Sequence, residues 1–148
     1  MAIKKYLIWS LPAIWFGLTF FLTFQNGDSS GRLSHIIAEK ICNTLNYQDV
    51  YTAEIVLRDC AHFGIHFVLA FLTMIATYYD NIDPFTDAMI SILICMMIAI
   101  LDELGQVVIP GRSLEFTDIL RNIVGILSGT VMFLFLHGLK NSIKAARQ

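Results

Sequence analysis

The stretch Leu101–Asn122, L-D-E-L-G-Q-V-V-I-P-G-R-S-L-E-F-T-D-I-L-R-N, places charge where two apolar runs meet. One run ends in the adjacent carboxylates Asp102 and Glu103, and Gln106 follows one helical turn later. Pro110-Gly111 turns the chain, Arg112 follows, and a second apolar run opens with Asp118, Arg121 and Asn122. Charges between apolar helices are expensive, so their clustering calls for a reason. This stretch is the core of the expected functional site.

Composition sets the class. The chain has 148 residues, enough for one domain spanning 1–148, and 56% are hydrophobic, with a mean hydropathy of +0.65. Only 15% are charged, against about 25% in a typical soluble protein, which points to a membrane protein. A net charge of −2 gives no sign of nucleic-acid binding. The three cysteines form no framework: Cys95 reads as packing, and Cys42 and Cys60 could pair only if both faced an oxidising side. No cysteine–histidine spacing resembles a zinc module.

Four spans are expected. Residues 6–24, behind Lys4 and Lys5, carry no charge, and at about 1.5 Å per residue they nearly cross a hydrocarbon layer about 30 Å thick. The run is longer than the about 7–15 residues of a signal peptide, and no small-x-small cleavage site is present. Pro12 is a site for a bend. Segment 25–58 is polar, with Gly27, Gly31 and the serines stopping the first helix. From Leu33, apolar residues recur at 33, 36, 37, 41 and 45, which predicts an amphipathic helix, either interfacial or re-entrant. A second short helix is expected over about 48–57. The remaining spans are 61–79, 85–108 and 117–139, separated by a short turn at 80–87 and by Pro110-Gly111. Thr117 is the expected N-cap of the last span, with Asp118 in its first turn, where the helix dipole favours an anion. Gly125 and Gly129 form a small-xxx-small pair suited to close helix packing. The expected fold is all-α: a polytopic membrane bundle of four transmembrane helices, plus amphipathic or re-entrant helices between the first two.

Helix lengths then set depth. His62 lies seventeen residues from Tyr79, Asp102 seventeen from Phe85, and Asn122 seventeen from Leu139. Each is about 25 Å along its helix, so the three share one level near the face opposite the termini. Arg58, Glu103, Gln106, Arg112 and Asp118 are expected at or just above it. Five basic residues lie on the terminal side (Lys4, Lys5, Lys140, Lys144 and Arg147) and five on the other (Arg32, Lys40, Arg58, Arg112 and Arg121). The terminal ones stand free of acids, which favours cytoplasmic termini and an outward-facing cluster.

Two readings of the cluster stand side by side. In one, Arg58, Arg112 and Arg121 neutralise Asp102, Glu103 and Asp118, with Gln106 and Asn122 as bridges, and the network clamps three helices. In the other, the same groups line a polar pocket for an amphiphile, since arginine offers paired donors to phosphate or carboxylate. His62 and His66, one turn apart, could ligate an ion with Asp102 or Glu103, but a lone H-x-x-x-H is a weak signal. No metal or cofactor is expected. His66 reads as packing or as reaching one polar partner.

The ordered motifs resemble a known family. R-x-x-x-H-F at Arg58–Phe63, D-E-x-x-Q at Asp102–Gln106, P-G-R at Pro110–Arg112 and D-x-x-x-N-x-x-G at Asp118–Gly125 are similar to the VanZ-like membrane proteins. So is F-Q-N-G-D-S-S-G-R-L-S at Phe24–Ser34, with Ser30 and Ser34 four apart. His66 departs from the pattern, where an aromatic such as tyrosine is expected. The resemblance implies a small multi-pass protein of the plasma membrane of Gram-positive-type bacteria. It also implies a link to low-level resistance against teicoplanin-like lipoglycopeptides.

Three functions follow as alternatives. The first is a non-enzymatic factor that binds a lipid-linked wall precursor or a lipoglycopeptide. The second is a membrane enzyme hydrolysing a lipid phosphate or ester, with His62 and Asp102 or Glu103 as acid–base groups and Arg58 and Arg112 as clamps. The third is a structural subunit of an envelope-assembly complex, which the Gly125/Gly129 face would allow, with a protein partner or a second copy of the chain as its partner. Membrane lipids are partners in each.

Overall fold

The computed structural model describes residues 2–25, 27–80 and 83–147. The side chains of 28–30, including Ser30 of the expected serine pair, lie outside the described residues, as do Asn26 and the middle of the turn at 80–87. Among the described residues five helices follow in order: α1 (Ala2–Thr23), α2 (Gly27–Leu45), α3 (Val50–Tyr79), α4 (Pro84–Val107) and α5 (Phe116–Ala145). No strand occurs among the described residues. All but α2 are long and apolar enough to cross a membrane. The fold is a helical membrane bundle.

Lipid on the outside reverses the usual soluble pattern. The buried stripe of α4 is Asp87, Ser91, Cys95, Ala99, Asp102, Glu103 and Gln106, which is small or polar throughout. Its exposed face carries Leu93, Met97, Ile100 and Leu104. Association in a membrane relies on close packing and hydrogen bonding rather than on burying large apolar groups. Hydroxyls inside the apolar helices are satisfied locally: Thr73 donates to the Leu69 carbonyl at 2.8 Å and Thr130 to the Ile126 carbonyl at 2.9 Å.

α3 is the hub and meets each of the other four helices. α5 seats most closely on it, and glycine is the reason. A Cβ at Gly125 would collide with the Phe63 carbonyl oxygen, and one at Gly129 with the Phe67 carbonyl oxygen. The small-residue face is therefore occupied within the chain, so it is not available to a separate subunit, as the third alternative assumed. α1 meets α3 and α4 from the other side, with Trp15 Nε1 donating to the Ile65 carbonyl at 2.9 Å. At the terminal end, Lys5 pairs with Asp80 at 2.9 Å and Tyr78 Oη lies 2.9 Å from His137 Nε2.

Two element boundaries differ from expectation. The short helix at 48–57 and the span at 61–79 are one continuous helix, α3, about 45 Å long. Glu54, Arg58 and Asp59 suggested a break, but α2 packs against this overhanging part and supplies partners, such as His35 Nδ1 at 3.3 Å from Glu54. α2 itself starts at Gly27, six residues before Leu33, and takes Gly31 into its first turns. Thr117 is not the cap of α5. Glu115 holds that position without capping through its side chain, because its carboxylate reaches Arg58 instead.

Among the helices, α2 meets only α3 in the described residues and has no packing contact with α1. Its N-terminus is held elsewhere: Gly27 sits against the Gly111 carbonyl, where a Cβ would come within 2.8 Å. Gly111 has φ 79°, a conformation that favours glycine and turns the α4–α5 loop towards α2. The three cysteines are free: Cys42 and Cys95 are buried, and Cys60 is exposed.

The α3–α5 seam gives a direct test. Gly129→Val should destabilise the protein by about 1–3 kcal/mol, read as a lowered melting temperature in detergent, because backbone cannot yield as a flexible side chain would. Gly138→Ala on the same helix meets open space and should be neutral, or stabilising by up to about 1 kcal/mol.

Candidate functional site

The charged residues gather at the end of the bundle away from the termini, in two layers. The inner layer is buried between α3, α4 and α5. Asn122 on α5 donates from Nδ2 to Glu103 Oε1 on α4 at 3.1 Å, and its Oδ1 lies 3.2 Å from His62 Nδ1 on α3. His62 Nε2 faces Asp118 Oδ2 at 3.4 Å, so both ring nitrogens point at oxygen. Arg58 Nη2 donates to Asp118 at 3.0 Å and to Glu115 at 3.2 Å. Arg121 pairs with Asp118 as well, and reaches Asp59 at 3.0 Å. One carboxylate, Asp118, thus takes two guanidiniums and faces an imidazole, while itself fully buried. Position explains this: in the first turn of α5 it also faces the positive end of the helix dipole.

The expected division of arginines among carboxylates is therefore corrected. Among the described residues, no arginine forms an ion pair with Asp102 or Glu103. Asp102 takes the Thr23 hydroxyl and, at 3.5 Å, the Gln106 amide, while Glu103 takes Asn122. Arg112 points to α1, where Nη1 donates to the Thr23 carbonyl at 2.9 Å. The reason is geometric. Asp102 and Glu103 sit inside α4, where amides and hydroxyls fit, and the guanidiniums reach in from the bundle end.

The outer layer is a cavity of about 380 Å³ beneath α2. Arg58, His62, His66, Asp102, Gln106 and Arg112 line it, whereas Glu103, Asp118 and Asn122 stand behind it. Leu22, Leu33, Ile37, Leu57 and Ile65 form its apolar wall. Burial pushes the Arg112 guanidinium below its ordinary value, and the Arg58 charge acts the same way, against the pull of Asp102, Glu103 and Asp118. Two guanidiniums thus line one cavity, and this side chain offers paired donors to phosphate or carboxylate.

Sequence reasoning missed the contribution of α1 and α2. Thr19 and Thr23, one turn apart and both buried, line the cavity, as do Gln25 and Ser34. The available signal was a pair of hydroxyls at i, i+4 in an otherwise apolar span. His66 was expected to pack or to reach one polar partner. It is buried and lines the cavity, with Nδ1 3.2 Å from the His62 carbonyl and Nε2 unpartnered. The two histidines do not converge on one point with Asp102. His62, Glu103 and Asp118 do, with one ligand atom from each within 4.8 Å of the others, although Arg58, Arg121 and Asn122 already engage those carboxylates.

Removing the central amide should be costly. Asn122→Leu leaves Glu103 Oε1 and His62 Nδ1 without their partner and is expected to lower stability by about 1–3 kcal/mol. Asp59→Asn, at a partly exposed pair with Arg121, should cost under about 1 kcal/mol. Denaturant titration of both variants in the same detergent checks the contrast.

No curated protein and no solved structure matches this chain. A family model described as VanZ/LLP1 matches residues 8–137, which take in both layers and every residue lining the cavity. The protein belongs to the VanZ/LLP1 family.

Proposed function

We propose that the protein binds an amphiphile of the bacterial cell envelope at the outer leaflet of the plasma membrane, with its charged group in the cavity and its apolar part in the bilayer. The carrying observation is that Arg58, His62, Asp102 and Arg112 share one cavity with Leu22, Leu33 and Ile37. A ligand matching both walls is charged at one end and apolar at the other. Both termini are on the cytoplasmic side in this reading, since four spans return the chain to its starting side and the terminal lysines stand free of acids. The ligand classes are a lipid-linked wall precursor and a lipoglycopeptide, and the phenotype is lowered susceptibility to teicoplanin-like compounds. The enzyme alternative keeps His62, Asp102 and Glu103 as acid–base candidates. Both nitrogens of His62 already face oxygen, which favours binding over hydrolysis.

Two measurements test this. In a chain whose native cysteines are replaced, Glu115→Cys should react with an impermeant thiol reagent on intact cells and Asn141→Cys should not. The inverse pattern sends the cavity to the cytoplasm and removes wall precursors as ligands. Arg112→Ala and Asp102→Asn should return teicoplanin susceptibility to that of cells lacking the protein, at unchanged protein abundance. Undiminished resistance in both would sink the pocket as the seat of function.

A further inference from the structure

The lining of the cavity carries both signs of charge, and they differ in exposure. The Arg58 side chain is 46% exposed and Arg112 is half-buried. Asp102 is more enclosed at 7% exposed, and His66 at 1%. A simple anion drawn in by the two guanidiniums would also meet the Asp102 carboxylate. A ligand with a negative charge for the guanidiniums and a positive charge for the carboxylate meets no such conflict.

The enclosed part of the lining also lacks donors. His66 Nδ1 faces the His62 carbonyl at 3.2 Å, an oxygen that only accepts, so Nδ1 carries the proton and Nε2 presents a lone pair. That nitrogen is buried and has no partner, and His66 is among the residues that line the cavity. Asp102 takes only neutral donors, the Thr23 hydroxyl and a long contact of 3.5 Å from Gln106, and no cation among the described residues forms an ion pair with it. An ionised carboxylate has about four acceptor sites, so it can take more. A buried carboxylate with no ion pair among the described residues, beside a buried acceptor without a donor, matches a group that is both positively charged and rich in N–H. A primary ammonium is that group.

We propose that the cavity recognises a zwitterionic glycerophospholipid headgroup, with its phosphodiester between Arg58 and Arg112 and its primary ammonium against Asp102 and His66 Nε2. The proposal rests on the amphiphile-binding reading above and names its headgroup chemistry. The volume of about 380 Å³ falls in the range of small-molecule sites, about 300–1,000 Å³. Leu22, Leu33 and Ile37 continue the apolar wall towards the acyl chains. Selectivity follows from the enclosed groups: a trimethylated ammonium keeps the charge but has no N–H for His66, and a glycerol headgroup offers donors but no charge for Asp102.

The test is binding of short-chain phospholipids to the purified full-length protein in detergent, by calorimetry. Dihexanoyl phosphatidylethanolamine should bind about tenfold more tightly than the choline and glycerol counterparts, the worth of one charge-assisted hydrogen bond. His66→Phe should bring the ethanolamine lipid down to the level of the choline lipid and leave the latter unchanged. Arg112→Ala should weaken both by a similar factor. Equal binding of ethanolamine and choline lipids, or tighter binding of the glycerol lipid, overturns the ammonium site. If Arg112→Ala still weakens all of them, the amphiphile reading survives without it. Absence of binding by all three lipids overturns the proposal, and susceptibility and thiol labelling then decide the broader reading separately. The comparison of lipids on the unsubstituted protein decides the matter even if His66→Phe does not fold.

Discussion

Asn122 holds the bundle together at its polar end. Its amide nitrogen serves Glu103 on α4 and its amide oxygen faces His62 on α3, so one side chain on α5 closes a three-helix junction. The carboxylate it satisfies is fully enclosed, and a buried polar group without a partner is far more costly than the net worth of a typical hydrogen bond. That asymmetry fixes the rotation of three helices about their axes. A turn of α5 that moved Asn122 away would strand Glu103 and His62 together and would also drive the Gly125 and Gly129 positions out of register with the α3 backbone.

The rest of the molecule follows from this junction and from the lipid around it. Hydrocarbon outside removes the usual gain from burying leucine, so much of the interior is threonine, serine, alanine, glycine and carboxylates around Leu69, Met74 and Ile126, while most large apolar residues face outward. The charges divide by role. Asp118, enclosed by Arg58, Arg121 and His62, acts as the electrostatic centre of the frame. Asp102 and His66 line the cavity, where His66 Nε2 is unpartnered, while Glu103 Oε2 is unpartnered within the frame.

Much of this was legible in the chain because helix geometry is regular. Counting seventeen residues along three spans placed His62, Asp102 and Asn122 at a common depth, and the contacts among α3, α4 and α5 occur there. Counting could not show which guanidinium meets which carboxylate. That depends on helix rotation and on long side chains with several rotamers, and two of the three arginines reach the same carboxylate, Asp118. The length of α3 was hidden because charges at 54, 58 and 59 look like the end of a span until α2 is present to cover them. Thr19 and Thr23 were hidden because hydroxyls bonded to their own helix blend into an apolar run. His66 looked like packing because a lone histidine on an apolar face says nothing about which nitrogen is satisfied.

The position of α1 and α2 around the cavity has a consequence for how strongly it needs to hold an amphiphile. Among the described residues α2 meets α3 but not α1, and Leu22 on α1 and Ile37 on α2 both line the cavity. On the amphiphile-binding reading proposed above, a lipid entering between these two walls stays within the leaflet, in a layer only a few nanometres thick, where local concentrations far exceed those in bulk water. Occupancy then follows the mole fraction of the lipid in the membrane rather than its solubility. Bound lipid leaves by exchange with its neighbours, so a site with modest intrinsic affinity stays filled while remaining responsive to a change in membrane composition.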